Sequence, residues 1–158
     1  MPRVVMHMLA PEREPAQAYA RISDFARYVE LTETVREVVL HPPEPDGSLV
    51  SEWTVRFRNG LLRWTERDTF DPRALSIEFT QLSGDFLSFE GTWRVRPAER
   101  GSLVVFDAWF DLGIPTLADI LDPVAAATLR GNIALILRGL LGEVTQAPAP
   151  AEQYDGVP

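Results

Sequence analysis

Five consecutive stretches between residues 49 and 112 alternate apolar and polar side chains with a period of two, and this alternation constrains the fold more than any other feature. Leu49 to Arg58 places Trp53, Val55 and Phe57 on one face and Glu52, Thr54, Arg56 and Arg58 on the other. Asn59-Gly60 follows, the dipeptide favoured in two-residue hairpins, and Leu61 to Phe70 forms the next run. Asp71-Pro72-Arg73 turns the chain into Ala74 to Leu82, with Leu75, Ile77, Phe79 and Gln81 on one side. Ser83-Gly84-Asp85 then leads into Phe86 to Val95, where Leu87, Phe89, Gly91, Trp93 and Val95 share a face. After Pro97 to Gly101 the last run points Val104, Phe106, Ala108, Phe110 and Leu112 inward. Such a meander predicts an antiparallel sheet with one apolar face that another element must cover.

The flanking segments supply the cover. Arg3 to Leu9 reads as a first strand, Glu14 to Phe25 as a helix carrying Ala18, Ile22 and Phe25, and Tyr28 to Leu31 as a second short helix or turn. Thr34 to Leu40 is β-branched and strand-like, and Pro42 to Gly47 is a turn that no strand crosses. Gly113-Ile114-Pro115 ends the meander, and Asp122-Pro123 reads as a cap with proline at the first helical position. The helix from Val124 to Val144 presents Leu129, Ile133, Ile136, Leu137, Leu140, Leu141 and Val144 as one stripe. The expected architecture is α+β, a helix-grip fold in which a seven-stranded curled antiparallel sheet wraps around the long C-terminal helix, with two short helices after strand 1. Residues 1–146 form the single domain, and the Pro- and Ala-rich tail 147–158 is expected to be disordered. A sheet closed by a helix leaves a cavity between them, the natural site for a hydrophobic ligand.

Charge and composition narrow the function. Among 158 residues there are 15 arginines and no lysine against 23 acids, a net charge of −8, which disfavours nucleic acid. The same field repels an acidic carrier protein unless the arginines cluster on one face. Cysteine is absent, which removes disulfides, thiolate nucleophiles and sulfur-bound zinc. His7 and His41 are far apart in sequence, so no metal site is expected. No apolar run of membrane-spanning length is expected, and Met1 to His7 lacks the apolar core of a secretory signal, which leaves a cytoplasmic location as the default. Phosphate loops, nucleophile elbows and dinucleotide fingerprints are missing, so any catalysis would be cofactor-free acid–base work within a pocket.

Candidate site residues come from breaches of the alternation. On Leu61 to Phe70 the face of Arg63, Thr65, Arg67 and Thr69 is polar throughout, so Leu62, Trp64, Glu66, Asp68 and Phe70 face inward. Two inward carboxylates have three readings: a solvated strand end at the sheet rim, pairing with arginine (Arg56 or Arg130), or exposure to a ligand cavity with altered pKa values. In the last reading Glu66 is the general acid or base and Asp68 its partner. Trp64 and Gln81 are inward on neighbouring strands, either as core residues with a satisfied polar tip or as ligand contacts. Trp53, Phe79, Phe89 and Trp93 form the aromatic wall, and Asn132 lies one turn from Leu129 and Ile136 on the helix.

Three blocks carry a resemblance: Trp64-Thr65-Glu66-Arg67-Asp68-Thr69-Phe70-Asp71-Pro72, then Ile77-Glu78-Phe79-Thr80-Gln81, then Gly91-Thr92-Trp93-Arg94-Val95. They resemble the middle of bacterial polyketide aromatase/cyclases of the START-like (Bet v 1-like) superfamily, and element order agrees over about residues 3 to 145. The resemblance implies a cavity that holds a poly-β-ketone tethered to an acyl carrier protein, guides aldol closure of one ring and assists dehydration. It places Trp64, Glu66 and Asp68 where single-domain members carry an aromatic, a serine and an arginine facing the pocket, a departure at both polar positions. Arg67 fits the N-terminal halves of two-domain members, which implies a ligand contact there. Phe25 to Tyr28 resembles the entrance segment, without the Pro-Glu pair that usually follows. Related ubiquinone-binding carrier proteins and toxin-like proteins share the G-x-W strand and the long helix, so a non-catalytic carrier or chaperone for a hydrophobic quinone, lipid or polyketide product is the alternative.

Overall fold

A computed structural model describes residues 2–113 and 118–147, the side chains of 118–122 apart. The expected tail from 148 to 158 and the breaker residues Ile114 and Pro115 lie outside the described residues. The chain runs β1 (Arg3–Ala10), α1 (Pro15–Ser23), a 3-10 turn (Phe25–Arg27), α2 (Tyr28–Leu31), β2 (Val35–Leu40), β3 (Leu49–Phe57), β4 (Gly60–Asp71), β5 (Ser76–Gly84), β6 (Ser88–Pro97), β7 (Ser102–Asp111), α3 (Ala118–Leu141) and β8 (Thr145–Gln146). Every pairing is antiparallel, in the order β2-β3-β4-β5-β6-β7-β1-β8. The helix-grip architecture is as expected. The sheet has eight strands rather than seven, because the chain leaves α3 at Gly142 (φ +84) and lays Thr145 and Gln146 against Leu9 and Met8.

The period-two reading of the faces holds along most of the meander. Ile77, Phe79, Phe89, Trp93, Val95, Val104, Phe106, Ala108 and Phe110 are all buried against α3 and the short helices. Leu87 is the exception. It is 69% exposed while Phe86 is buried, since β6 begins only at Ser88 and the turn before it tucks Phe86 onto Phe89 at 4.4 Å between ring centres. Gly91 stands opposite Ala108, where a Cβ would lie 2.4 Å from the Asp107 carbonyl oxygen.

Three boundaries differ from expectation. Phe57 pairs with Gly60, so the hairpin turn is Arg58-Asn59 rather than Asn59-Gly60, and Arg58 takes the left-handed φ of +57°. That conformation costs a non-glycine residue about 1–2 kcal/mol. Helix α3 begins at Ala118, a turn and more before the expected cap at Asp122, and holds Pro123 within it. Near a helix start, the missing proline N–H removes one bond and leaves the rest of the ladder intact. The helix ends at Leu141, with the buried Val144 beyond it in the connection to β8.

Residues Pro123–Leu141, with mean hydropathy 1.4 over 19 residues, do match a membrane span by length and composition, contrary to the expectation of no such run. In this fold the segment is the helix gripped by the sheet, burying Ile133, Ile136, Leu137, Leu140 and Leu141. Gly139 lets α2 come close, since a Cβ there would meet the Leu31 carbonyl oxygen at 2.2 Å. That contact fixes Tyr28, at the start of α2, against the core.

Candidate functional site

A cavity lies between the sheet and α3, walled by Trp53, Val55, Trp64, Phe79, Phe89, Trp93 and Phe106 from the strands. Phe25 and Tyr28 close one side, and Leu129, Asn132, Ile133 and Ile136 of α3 form the roof. The rings lock one another. Trp53 and Trp64 stack at 6.3 Å, Phe25 and Tyr28 meet Trp53 edge-on at 5.1 and 5.2 Å, and Trp64 meets Phe89 edge-on at 5.5 Å. The free space is about 70 Å³, less than half of the roughly 150 Å³ of an apolar cavity that takes up benzene. A larger ligand must therefore push side chains aside. Leu129 and Asn132 are the half-buried part of the roof, whereas Ile133 and Ile136 are buried.

One carboxyl group stands in this wall. Glu66 is 6% exposed, and its Oε1 accepts a hydrogen bond from Trp64 Nε1 at 2.7 Å. Asp68, two residues along the same face, is fully buried and lies within hydrogen-bonding reach of the Glu66 carboxyl. It pairs in register with Leu49 on one side and Phe79 on the other, in the middle of the sheet, which overturns the solvated-rim reading. The arginine reading fails as well. Arg130 donates to the Val5 carbonyl oxygen, Arg56 is exposed, and among the described residues no arginine reaches either acid.

A chain of donors constrains where a shared proton can sit. Trp53 Nε1 donates to Ser51 Oγ at 2.8 Å, which directs the Ser51 hydroxyl hydrogen to Asp68 Oδ2 at 2.6 Å. At the other end Trp64 N–H occupies Glu66 Oε1. Asp68 Oδ1 is buried and has no partner among groups that carry a hydrogen when both carboxyls are ionised. A proton on the Glu66 carboxyl supplies a donor to Asp68, which favours a neutral Glu66 beside an anionic Asp68. The electrostatics agree. Burial above all, then the hydrogen bond to and charge of Asp68, hold the Glu66 carboxyl well above the usual carboxylate range. Burial also raises Asp68, against the lowering effect of the bonds from Glu66 and Ser51. Tyr28 is pushed well above its ordinary value, chiefly by burial and then by the charges of Glu66 and Asp68, and its hydroxyl donates to the Ile22 carbonyl.

Of the residues expected from sequence, the structure brings Trp53, Trp64, Glu66, Phe79, Phe89, Trp93 and Asn132 to the cavity. Asp68 lies behind Glu66 rather than on the wall. Gln81 is the register partner of Glu66, but its amide turns aside to donate to the Phe86 carbonyl oxygen, leaving Oε1 buried without a donor among the described residues. Arg67 is not a cavity residue. It lies on the outer face and donates to Glu44 at 3.0 and 3.2 Å, because odd positions of β4 point away from α3. Ser51, Phe25 and Tyr28 were not among the expected site residues. Ser51 shares the inward face with Trp53, so the alternation of β3 carried a signal for it. Among the described residues no three His, Asp or Glu side chains gather as metal ligands, and His41 pairs with Glu52 on the outer face.

Solved structures of other proteins share this architecture. A protein of Thermus thermophilus superposes with a TM-score of 0.78 at 24% identity, covering 88% of this chain and 94% of that one. The Zhui aromatase/cyclase of Streptomyces sp. R1128 gives 0.75 at 17% identity over 89% and 92%. A START superfamily protein of Mycobacterium smegmatis gives 0.74 at 18% over 88% and 96%. These likenesses establish a START-like (Bet v 1-like) fold. No curated protein sequence matches the chain. The family model described as polyketide cyclase / dehydrase and lipid transport matches residues 11–135, and the chain belongs to that family.

Proposed function

We propose that the protein is a cofactor-free aromatase/cyclase acting on a carrier-tethered poly-β-ketone in the cytoplasm. The observation that carries this reading is a buried carboxyl, Glu66, held by Trp64 beside Asp68 in a mainly aromatic cavity whose burial raises it well above the usual carboxylate range. In aldol closure a bond forms between an enol carbon and a ketone carbon, and the ketone oxygen takes the Glu66 proton. The enol oxygen becomes a carbonyl and returns its O–H proton to the deprotonated pair. In dehydration the same exchange removes a hydrogen from the neighbouring carbon and delivers a proton to the departing hydroxyl, releasing water. One shared proton serves each step, and a carboxyl held well above the usual carboxylate range is suited to both directions. Burial of the aromatic faces supplies affinity, and the wall's shape would select the folded conformation of the chain.

The test is reconstitution with a minimal polyketide synthase. The expected result is a shift of the products toward a ring-closed aromatic compound when this protein is added, with Glu66→Gln failing to produce it. An unchanged spectrum would leave the second reading, a non-catalytic carrier of a hydrophobic small molecule. One observation favours that alternative: the free space is smaller than a single-ring cavity, so a long ketide demands a wider opening than a small ligand does.

The pair also predicts a pH profile. With Glu66 raised, the acid form persists above the usual carboxylate range, and turnover falls as pH climbs through the raised pKa and the proton is lost. Asp68→Asn removes the charge and places an amide donor against Glu66, favouring the ionised form. The alkaline limb of kcat should then move to lower pH, and a limb that stays in place would deny Asp68 its role.

A further inference from the structure

Away from the cavity, Arg36, Arg56 and Arg58 line one surface depression with Asn59, Gly60 and Leu61. On a chain of net charge −8 this is an inverted patch. Among the described residues none of the three arginines forms an ion pair. Two other arginines outside the ion pairs share their depressions with acids: Arg63 with Glu37, Glu52 and Asp85, and Arg94 with Glu78, Glu90 and Asp107. No acid lines the groove of Arg36, Arg56 and Arg58, and Glu33 is the acid of the adjoining depression that Arg56 also lines.

Two backbone irregularities fall on two of these three residues, Arg36 and Arg58. Arg36 is the extra residue of a bulge, because Val35 pairs with Val55 while Glu37 pairs with Thr54. Bulges re-aim side chains, and this one sits beside Arg56. Arg58 holds the left-handed turn position although Asn59 and Gly60, both better suited to it, follow directly. The groove also adjoins the ligand cavity. Asn132, part of the cavity roof, donates through Nδ2 to the Arg56 carbonyl oxygen at 2.7 Å.

We propose that Arg36, Arg56 and Arg58 form an anion site for a phosphate ester, and that the ligand is an amphiphile whose apolar part enters the cavity while its phosphate rests in this groove. Guanidinium forks match phosphate oxygens in bidentate fashion, and three of them suit a group with more than one charge or several free oxygens better than a single carboxylate. The proposal rests on the cavity being the ligand site and not on any reaction there.

The test is calorimetric titration of the full chain with dodecyl phosphate, dodecanol and inorganic phosphate, each amphiphile below its micelle concentration. Dodecyl phosphate should bind at least about 30-fold tighter than dodecanol, as charge-assisted bonds to arginine allow, with an affinity that weakens as salt is added. The triple variant Arg36→Gln, Arg56→Gln, Arg58→Asn should abolish that difference and leave dodecanol binding unchanged. Arg94→Gln should change neither. Lysophosphatidic acid and S-dodecanoyl 4′-phosphopantetheine separate a lipid headgroup from a carrier tether as the source of the phosphate, and the tighter of the two names it. Arg58→Asn alone should raise the melting temperature while weakening dodecyl phosphate, the signature of a side chain kept at a conformational cost. Equal affinity for phosphate and alcohol, equal loss of both in the triple variant, or inorganic phosphate binding as tightly as dodecyl phosphate would each overturn the proposal.

Discussion

Glu66→Gln should lower turnover by at least about 100-fold, the lower end of what a positioned acid–base group contributes, while affinity for a non-reacting ligand changes less than about threefold. The substitution is nearly isosteric. The glutamine amide can donate to Asp68 Oδ1, as the Glu66 proton does, and its carbonyl oxygen can accept from Trp64 Nε1. Geometry and apolar contacts survive, and only proton transfer is lost. Stability should rise at neutral pH. A carboxyl whose folded pKa is raised contributes its stability below the unfolded pKa of about 4.3 and loses it as pH climbs toward the folded value. Glutamine has no such loss, so the gap in Tm between variant and wild type should widen from pH 4 to pH 7. Thermal melts across that range, beside product assays, check both halves. Wild-type turnover in the variant would leave Glu66 as part of a binding wall, and a Tm gap that shrinks with pH would mean that Glu66 is ionised in the folded protein.

The faces of this sheet were legible in the sequence, while the partners across it were not, and the hairpin between β3 and β4 shows why. Asn59-Gly60 as the turn and Arg58-Asn59 as the turn differ by one position, but that shift moves the strand pairing by two residues. A shift of two leaves every side chain on its expected face. Glu66, Asp68, Trp64 and Trp53 were therefore placed inward correctly, while Ser51 would have faced Asp68 and in fact faces Glu66. The hydrogen-bond chain depends on such cross-strand detail. The arginine reading failed for a related reason: Arg56 and Arg130 were reachable by sequence distance alone, and their directions are set by the outward face of β3 and the flank of α3. Leu87 and Phe86 exchanged roles because a turn ended two residues later than its Ser-Gly-Asp signal suggested. Pro123 misled because a proline at a helix start and a proline within the first turns of a helix have the same sequence surroundings.

The buried chain from Trp53 to Glu66 couples stability to proton placement, and Trp53 is where the two can be separated. Trp53 is 7% exposed and touches Phe25, Tyr28 and Trp64, so Trp53→Ala should cost about 3–5 kcal/mol. At the scale of this domain that lowers Tm by about 10–15 °C. Trp53→Phe keeps most of the apolar contact and deletes the indole N–H, at a cost of about 1 kcal/mol. Its functional effect should be out of proportion to that cost. Without the Trp53 donor, Ser51 Oγ no longer has its hydrogen directed to Asp68 Oδ2, and Asp68 competes with Glu66 for the shared proton. Turnover should fall about three- to tenfold, equivalent to roughly 0.6–1.4 kcal/mol, and the alkaline limb of the kcat profile should move. A purely structural Trp53 would show the Tm loss in both variants with the pH profile unchanged. If Trp53→Phe instead moves the profile in the same direction as Asp68→Asn, the hydrogen bonds from Trp53 through Ser51 and Asp68 to Glu66 act as one unit, and the aromatic wall that binds the ligand also sets the protonation of the group that meets it.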